Sequence, residues 1–246
     1  MKNKVILITG ATSGFGKAIA IRLAKKGARI IATGRRLDRL NKLREQIGKD
    51  NLLPLDFDIR EQDQVFSIIN SLDKQWSNID VLINNAGLAK GLNSSDKTEI
   101  DHWNEMVDTN CKGLMYVTRA VLKNMGHKND GQIINIGSVA GTYPYFGGNI
   151  YGASKAFVHH FSLNLRADLA EKNIRVTSLE PGAAETEFSL VRFDGDKDKA
   201  KKTYEGFEPI KSNDIAEVVE FLINSPKNIN INRIEIMSND QSFAGF

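Results

Sequence analysis

The 246-residue chain has one cysteine, Cys111, so no disulfide can form within it, and a reducing compartment such as the cytoplasm is the expected setting. It has no long apolar run. Lys2 and Lys4 precede Val5-Ile6-Leu7-Ile8, but that stretch stops at Thr9-Gly10, short of a signal-peptide core or a membrane span. No membrane partner is therefore expected, and the run reads as a buried strand. Charge of one sign is also missing: 33 basic against 30 acidic residues leave a net +3, too little to attract nucleic acid. The four histidines, His159-His160 among them, and the single cysteine form no His/Cys/carboxylate cluster at ligand spacing, so no metal is expected. No linker, repeat or low-complexity tract divides the chain, which reads as a single domain over residues 1–246.

What is present is a rhythm. Short runs rich in Val, Ile and Leu recur at Lys4–Thr9, Arg29–Thr33, Leu52–Phe57, Ile79–Ile83, Gln132–Gly137, Ile174–Leu179 and Ile231–Met237. Amphipathic stretches separate them at Gly14–Lys26, Leu37–Ile47, Glu61–Trp76, Glu99–Met125, Tyr151–Lys172 and Asn213–Asn224. Strand–helix alternation predicts an α/β, Rossmann-like, doubly wound sheet of seven parallel strands with helices on both faces. Glu185–Glu208 fits neither pattern; it mixes Phe188, Phe193 and Phe207 with a run of alternating charge and reads as a partly helical flap.

Directly after the first strand, Thr9-Gly10-Ala11-Thr12-Ser13-Gly14-Phe15-Gly16 leads into a helix. Glycines allow a tight turn and close approach to a pyrophosphate, whose charge the helix N-terminus then meets. The second strand ends in Gly34-Arg35-Arg36, where an NAD site would carry an acid for the ribose hydroxyls. Guanidinium groups suit the 2′-phosphate of NADP instead, with either Arg35 or Arg36 as the main ligand. The same pair also fits a solvated helix start.

Tyr151 and Lys155 are four residues apart, on one face of a helix. A phenol ordinarily titrates near ~10; a neighbouring cation favours the phenolate and makes it a usable acid/base. The strand Ile133–Gly137 delivers Ser138 to its carboxyl end, where its hydroxyl can hold a substrate oxygen against Tyr151. Asn110 interrupts an otherwise helical pattern, a place where room for water can open.

In this order, Thr9-Gly10-x-x-x-Gly14-x-Gly16, Asn84-Asn85-Ala86-Gly87, Asn110, Ser138, Tyr151-x-x-x-Lys155 and Pro181-Gly182 resemble the short-chain dehydrogenase/reductase family over essentially the whole chain. The resemblance implies that Tyr151 is the acid/base, that Lys155 lowers its pKa and holds the nicotinamide ribose, that Ser138 orients the substrate, and that Asn110 anchors a relay water. It also implies cofactor contacts from Asp58 and Ile59 to the adenine, from Asn85, Ala86 and Gly87 along the cleft, and from Pro181, Gly182 and Thr186 near the nicotinamide. Thr33–Arg36, Asp108–Gly113, Ile133–Ser138, Gly147–Gly152, Phe161–Arg166 and Thr186–Ser189 further resemble the NADP-dependent 3-hydroxy acid dehydrogenases. That branch acts on serine, L-allo-threonine and 3-hydroxypropionate-type substrates and is typically tetrameric, so a homotetramer is expected. Two departures from the branch stand out: the Pro181–Thr186 loop is one residue shorter than usual, and the chain stops soon after Gln241–Gly245. A 3-hydroxy acid needs a cation for its carboxylate, and Arg192 in the flap is the candidate, against the alternative of an ordinary surface arginine. Competing readings are a short-chain reductase of another ketone, sugar or secondary alcohol, and a non-catalytic dinucleotide sensor.

Overall fold

A computed structural model of the chain describes residues 1–125 and 130–243. Its strands are β1 (Val5–Ile8), β2 (Arg29–Gly34), β3 (Leu52–Asp56), β4 (Val81–Asn84), β5 (Gly131–Ile136), β6 (Ile174–Pro181) and β7 (Arg233–Ile236). They form one seven-stranded sheet in the order β3-β2-β1-β4-β5-β6-β7, with every neighbouring pair parallel. The chain starts in the middle, winds outward to β3, then crosses back to place β4 on the other side of β1. The reversal opens a crevice beyond the carboxyl ends of β1 and β4.

Both faces of the sheet are covered, which explains the unbroken apolar strands. Side chains alternate: Ile6 and Ile8 enter one core cluster, Val5 and Leu7 the other. The first cluster is closed by α1 (Gly14–Lys25), α2 (Leu37–Ile47) and α10 (Ser212–Asn224), with α1 packed on α10. The second lies beneath α3 (Gln62–Asn70), α6 (Leu114–Met125) and α7 (Asn149–Asp168). Among the described residues no helix is long and apolar enough to cross a membrane.

Three expected helices differ from the sequence pattern. The stretch 61–76 breaks after α3: Ser71 closes it, its hydroxyl donating back to Ile68 O, and a new turn, α4 (Lys74–Ser77), swings Trp76 into the core beneath the Arg29 guanidinium. The stretch 99–125 contains α5 (Ile100–Val107), then a π-turn at Asp108–Gly113, then α6. The stretch 151–172 starts two residues early, at Asn149, and α7 ends at Asp168, because Asn173 turns left-handed (φ 53°) to feed β6. The flap holds two short helices, α8 (Glu187–Arg192) and α9 (Lys197–Lys202).

Leu7 on the central strand is fully buried, so truncation leaves a cavity that the sheet cannot close. Leu7→Ala should lower the free energy of unfolding in urea by about 2–5 kcal/mol; a loss under 1 kcal/mol would contradict this packing.

Candidate active site

Thr9, just past β1, ties the two sides of the crevice together. Its hydroxyl accepts from the backbone N–H groups of Asn85 and Ala86, each at 2.9 Å. Asn85 Nδ2 in return donates to Thr9 O (2.8 Å) and Gly10 O (3.1 Å). The turn that follows is tight enough to demand glycine. Gly10 has φ 66°, and a Cβ there would lie 2.9 Å from Ala86 Cα. At Gly16 a Cβ would lie 2.5 Å from Gly10 O, so the helix can begin directly on the turn. Ser13 precedes α1 without capping it through its side chain, so no hydroxyl competes for the first amides of the helix.

The crevice continues into a cleft of about 350 Å³. At one end Arg36 Nη2 donates to Thr12 Oγ1 (2.7 Å) and Ser13 Oγ (3.1 Å), while Arg35 lies 3.7 Å from Asp58. Burial pushes the Asp58 carboxyl up, but hydrogen bonds from Arg60 outweigh it and hold the group below the usual carboxylate range. The hydroxyls of Thr33 and Thr109, two residues that line the cleft, are buried with no hydrogen-bond partner among the described residues. A glycine-lined turn, an open helix end, paired guanidiniums and two orphaned hydroxyls fit a dinucleotide carrying an extra phosphate.

At the other end stand Ser138, Tyr151 and Lys155, all lining the cleft and all buried. Ser138 Oγ accepts from Ala140 N (3.2 Å) and faces Pro181 O at 3.4 Å. Lys155 Nζ donates to Ile136 O at 2.9 Å and sits 5.9 Å from the Tyr151 ring centroid. Burial raises the Tyr151 phenol well above its ordinary value; the groups pulling it back are the Ser138 hydrogen bond and the Arg192 cation, while Tyr145 adds to the rise. The cation that pulls the phenol back is Arg192, where Lys155 was the one expected. Burial lowers Lys155 itself to about 8.

Arg192 is not a surface residue. It is 5% exposed, donates Nε to Gly91 O and Nη2 to Tyr145 OH, each at 2.9 Å, and lies 5.7 Å from the Tyr151 ring. Among the described residues no carboxylate pairs with it. Phe188 packs against Tyr151 with ring centroids 5.6 Å apart, so α8 roofs this end of the cleft.

Residues 4–196 match the sequence profile described as short chain dehydrogenase. The chain is a short-chain dehydrogenase. It is 52% identical over 246 residues to a probable NADP-dependent dehydrogenase of Haemophilus influenzae, covering 100% of this chain and 97% of the relative. It is 51% identical over 242 residues to the NADP-dependent 3-hydroxy acid dehydrogenase of Salmonella typhi, covering 98% and 97%. A solved structure titled the closed form of serine dehydrogenase complexed with NADP+ superposes with a TM-score of 0.95 at 49% identity, covering 98% of this chain and 97% of the other. The dehydrogenase is accordingly an oxidoreductase, built on the Rossmann-like sheet that its strand pattern predicts.

In this dehydrogenase, Gly10, Thr12, Ser13, Gly14, Phe15, Arg35, Arg36, Asp58, Ile59, Asn85, Ala86, Gly87, Ser138, Tyr151, Lys155, Pro181, Gly182, Thr186 and Arg192 all line the one cleft. Gly16 and Asn110 stand behind the wall. Asn110 Oδ1 accepts from Leu88 N, and Nδ2 donates to Leu88 O and Ser154 Oγ, each at 2.9 Å, so both amide hydrogens already serve protein partners. Its amide braces the Gly87–Leu88 turn against α7; the π-turn is the irregularity behind the broken helical pattern. Missed by the sequence reading are Tyr145, Phe188, Arg39 and Glu187. Only Arg36-x-x-Arg39, one helical turn apart at the start of α2, gave a local signal.

The depressed Lys155 pKa has a stability consequence. Between pH 8 and the ordinary lysine value the unfolded chain binds the proton more readily than the folded one, so stability rises with pH across that window. In the cofactor-free protein, the unfolding free energy of the parent should gain on that of Lys155→Met by on the order of 2 kcal/mol as pH rises from about 8 to about 10.5. Parallel pH profiles from urea denaturation would contradict the burial of a charged lysine.

Proposed function

We propose that this dehydrogenase transfers a hydride between NADP(H) and C3 of a small 3-hydroxy acid of the serine, L-allo-threonine or 3-hydroxypropionate type. The observation that carries the reading is Arg192: a buried guanidinium, held by one carbonyl and one phenol, aimed beside the acid/base and, among the described residues, without a carboxylate partner. A charge buried this way is costly until an anion meets it. A substrate carboxylate is that anion. Two relatives, an NADP-dependent 3-hydroxy acid dehydrogenase and a serine dehydrogenase, support it.

When bound, NADP supplies the hydride acceptor or donor. Gly10, Thr12, Ser13, Gly14, Phe15 and Gly16 form the pyrophosphate turn, Arg35 and Arg36 take the 2′-phosphate, and Asp58 with Ile59 borders the adenine. Asn85, Ala86, Gly87, Pro181, Gly182 and Thr186 flank the nicotinamide half. On the substrate side, Arg192 pairs with the carboxylate and Ser138 holds the C3 oxygen. In oxidation, Tyr151 accepts the hydroxyl proton as the C3 hydrogen leaves as hydride; in reduction it returns the proton to the carbonyl oxygen. Burial raises the Tyr151 phenol, and the Ser138 hydrogen bond and the Arg192 cation pull it back; Lys155, with its Nζ 5.9 Å from the Tyr151 ring, holds the nicotinamide ribose. Asn110 is a positioning residue that keeps Gly87–Leu88 and α7 in register. The retained Ser138, Tyr151, Lys155 and Asn110 speak against a sensor, which needs no proton carrier. The reading extends to a cytoplasmic homotetramer with faces on α5–α6 and α7; Ile100 and Met115 expose apolar surface on the first two.

Reduced-nicotinamide absorbance with NADP and a panel of 3-hydroxy acids, sugars and neutral secondary alcohols tests the proposal. Turnover should favour the acids. Arg192→Met should raise KM for them about 10- to 100-fold, the size of a lost charge-assisted hydrogen bond, and leave neutral alcohols within about twofold. An unchanged KM would remove Arg192 from the substrate site. Tyr151→Phe should lower kcat by roughly 10²–10⁴; turnover at the parent rate would end the proton-carrier assignment.

A further inference from the structure

Glu187 opens α8, and its carboxylate crosses from the flap side of the cleft to the opposite wall. Its two oxygens accept from Arg39 Nη1 at 2.8 and 2.7 Å, and one also accepts from Arg36 Nη1 at 3.2 Å. Arg39 belongs to the first turn of α2, and Arg36 is at the same time bonded to Thr12 and Ser13 in the glycine turn. One cluster of charge thus joins the phosphate turn, the start of α2 and the flap.

The flap is fastened at its other end as well. Lys90 Nζ pairs with Asp194 at 2.7 Å, and Gly91 N donates to Arg192 O at 2.8 Å. Between these points the segment crosses the cleft that residues from both walls line. A six-residue helix has no stability of its own, so α8 is held in place by tertiary contacts: these, the packing of Phe188 on Tyr151 and the hydrogen bonds of Arg192. The Glu187, Arg36 and Arg39 side chains are each partly exposed, which makes their ion pairs worth little to the fold as a whole. A contact that costs little to break and spans a ligand's exit suits a closure that must open on every turnover.

The geometry points to an ionic clasp: Glu187, with Arg39 and Arg36, shuts the flap over the cofactor cleft and governs how fast the dinucleotide leaves. The clasp depends on a dinucleotide occupying the cleft and not on which substrate is oxidised. Glu187 and Arg39 need not touch the dinucleotide; they act through the position of α8.

The test is a release experiment on the whole chain. NADPH is bound, excess NADP+ is added, and the loss of bound-NADPH fluorescence is followed for the parent, E187Q, R39Q and E187Q/R39Q. Each single variant should release about three- to fivefold faster, the size an exposed carboxylate–guanidinium pair can supply. The double variant should be no faster than either single, because both substitutions open the same contact. The acceleration should also appear with NADH, which lacks the 2′-phosphate, and added salt should speed release from the parent more than from E187Q. Release that is unchanged or slower in E187Q, effects that multiply in the double variant, or an acceleration confined to NADPH would each overturn the clasp. A parent that binds neither dinucleotide would instead strike at the cofactor assignment itself.

Discussion

The reversal of winding between β1 and β4 locates everything else in this molecule. Two neighbouring strands whose connections leave in opposite directions cannot have their carboxyl ends covered by the same loop, so a gap opens there. Thr9 and Asn85 keep that gap at a fixed width through four hydrogen bonds between the two strand exits. The glycine turn stands on one rim and Asn85–Gly87 on the other. β5 and β6 then supply Ser138 and Pro181 along the same edge, and α7 lays Tyr151 and Lys155 across it.

The chemistry follows from what this edge buries. Two cations and a phenol share an enclosed space, and burial opposes charge on Tyr151 and Lys155. Lys155 gains one carbonyl, and Arg192 gains one carbonyl and one phenol; among the described residues neither is paired with a carboxylate. Such a site is electrostatically unfinished until negatively charged ligands enter. Phosphates at one end and a carboxylate at the other would complete it, so ligand binding and the readiness of Tyr151 to give up its proton are coupled through the same field.

The parallel sheet, two-sided burial and the glycine turn were legible because they are local or periodic: a short apolar run without alternation, bounded by turn residues and alternating with amphipathic stretches, reads as a strand covered on both faces. Tyr151, Lys155 and Ser138 were legible through spacing and strand position. Arg192 was named, but not its setting, since its burial depends on Gly91 and Tyr145, which are about 100 and 47 positions away in sequence. The Glu187–Arg39 pairing left no mark for the same reason: the two meet only where the flap crosses back over α2. The break at Ser71 was missed because periodicity averages over several turns, and at Asp108–Gly113 the polar Asn110 marked an irregularity without showing that it was a π-turn.

That π-turn has an evolutionary implication. A helix advances about 100° per residue, and a wider turn accommodates one residue more than a regular helix would, so α5 and α6 are phased relative to each other by an insertion. Deleting any one residue from 108–113 would restore a smooth helix while rotating everything before it by roughly a quarter-turn. The Asn110 amide would then point away from Leu88 and Ser154. A change in the length of this segment would therefore displace the Asn110 brace behind the wall of the cleft.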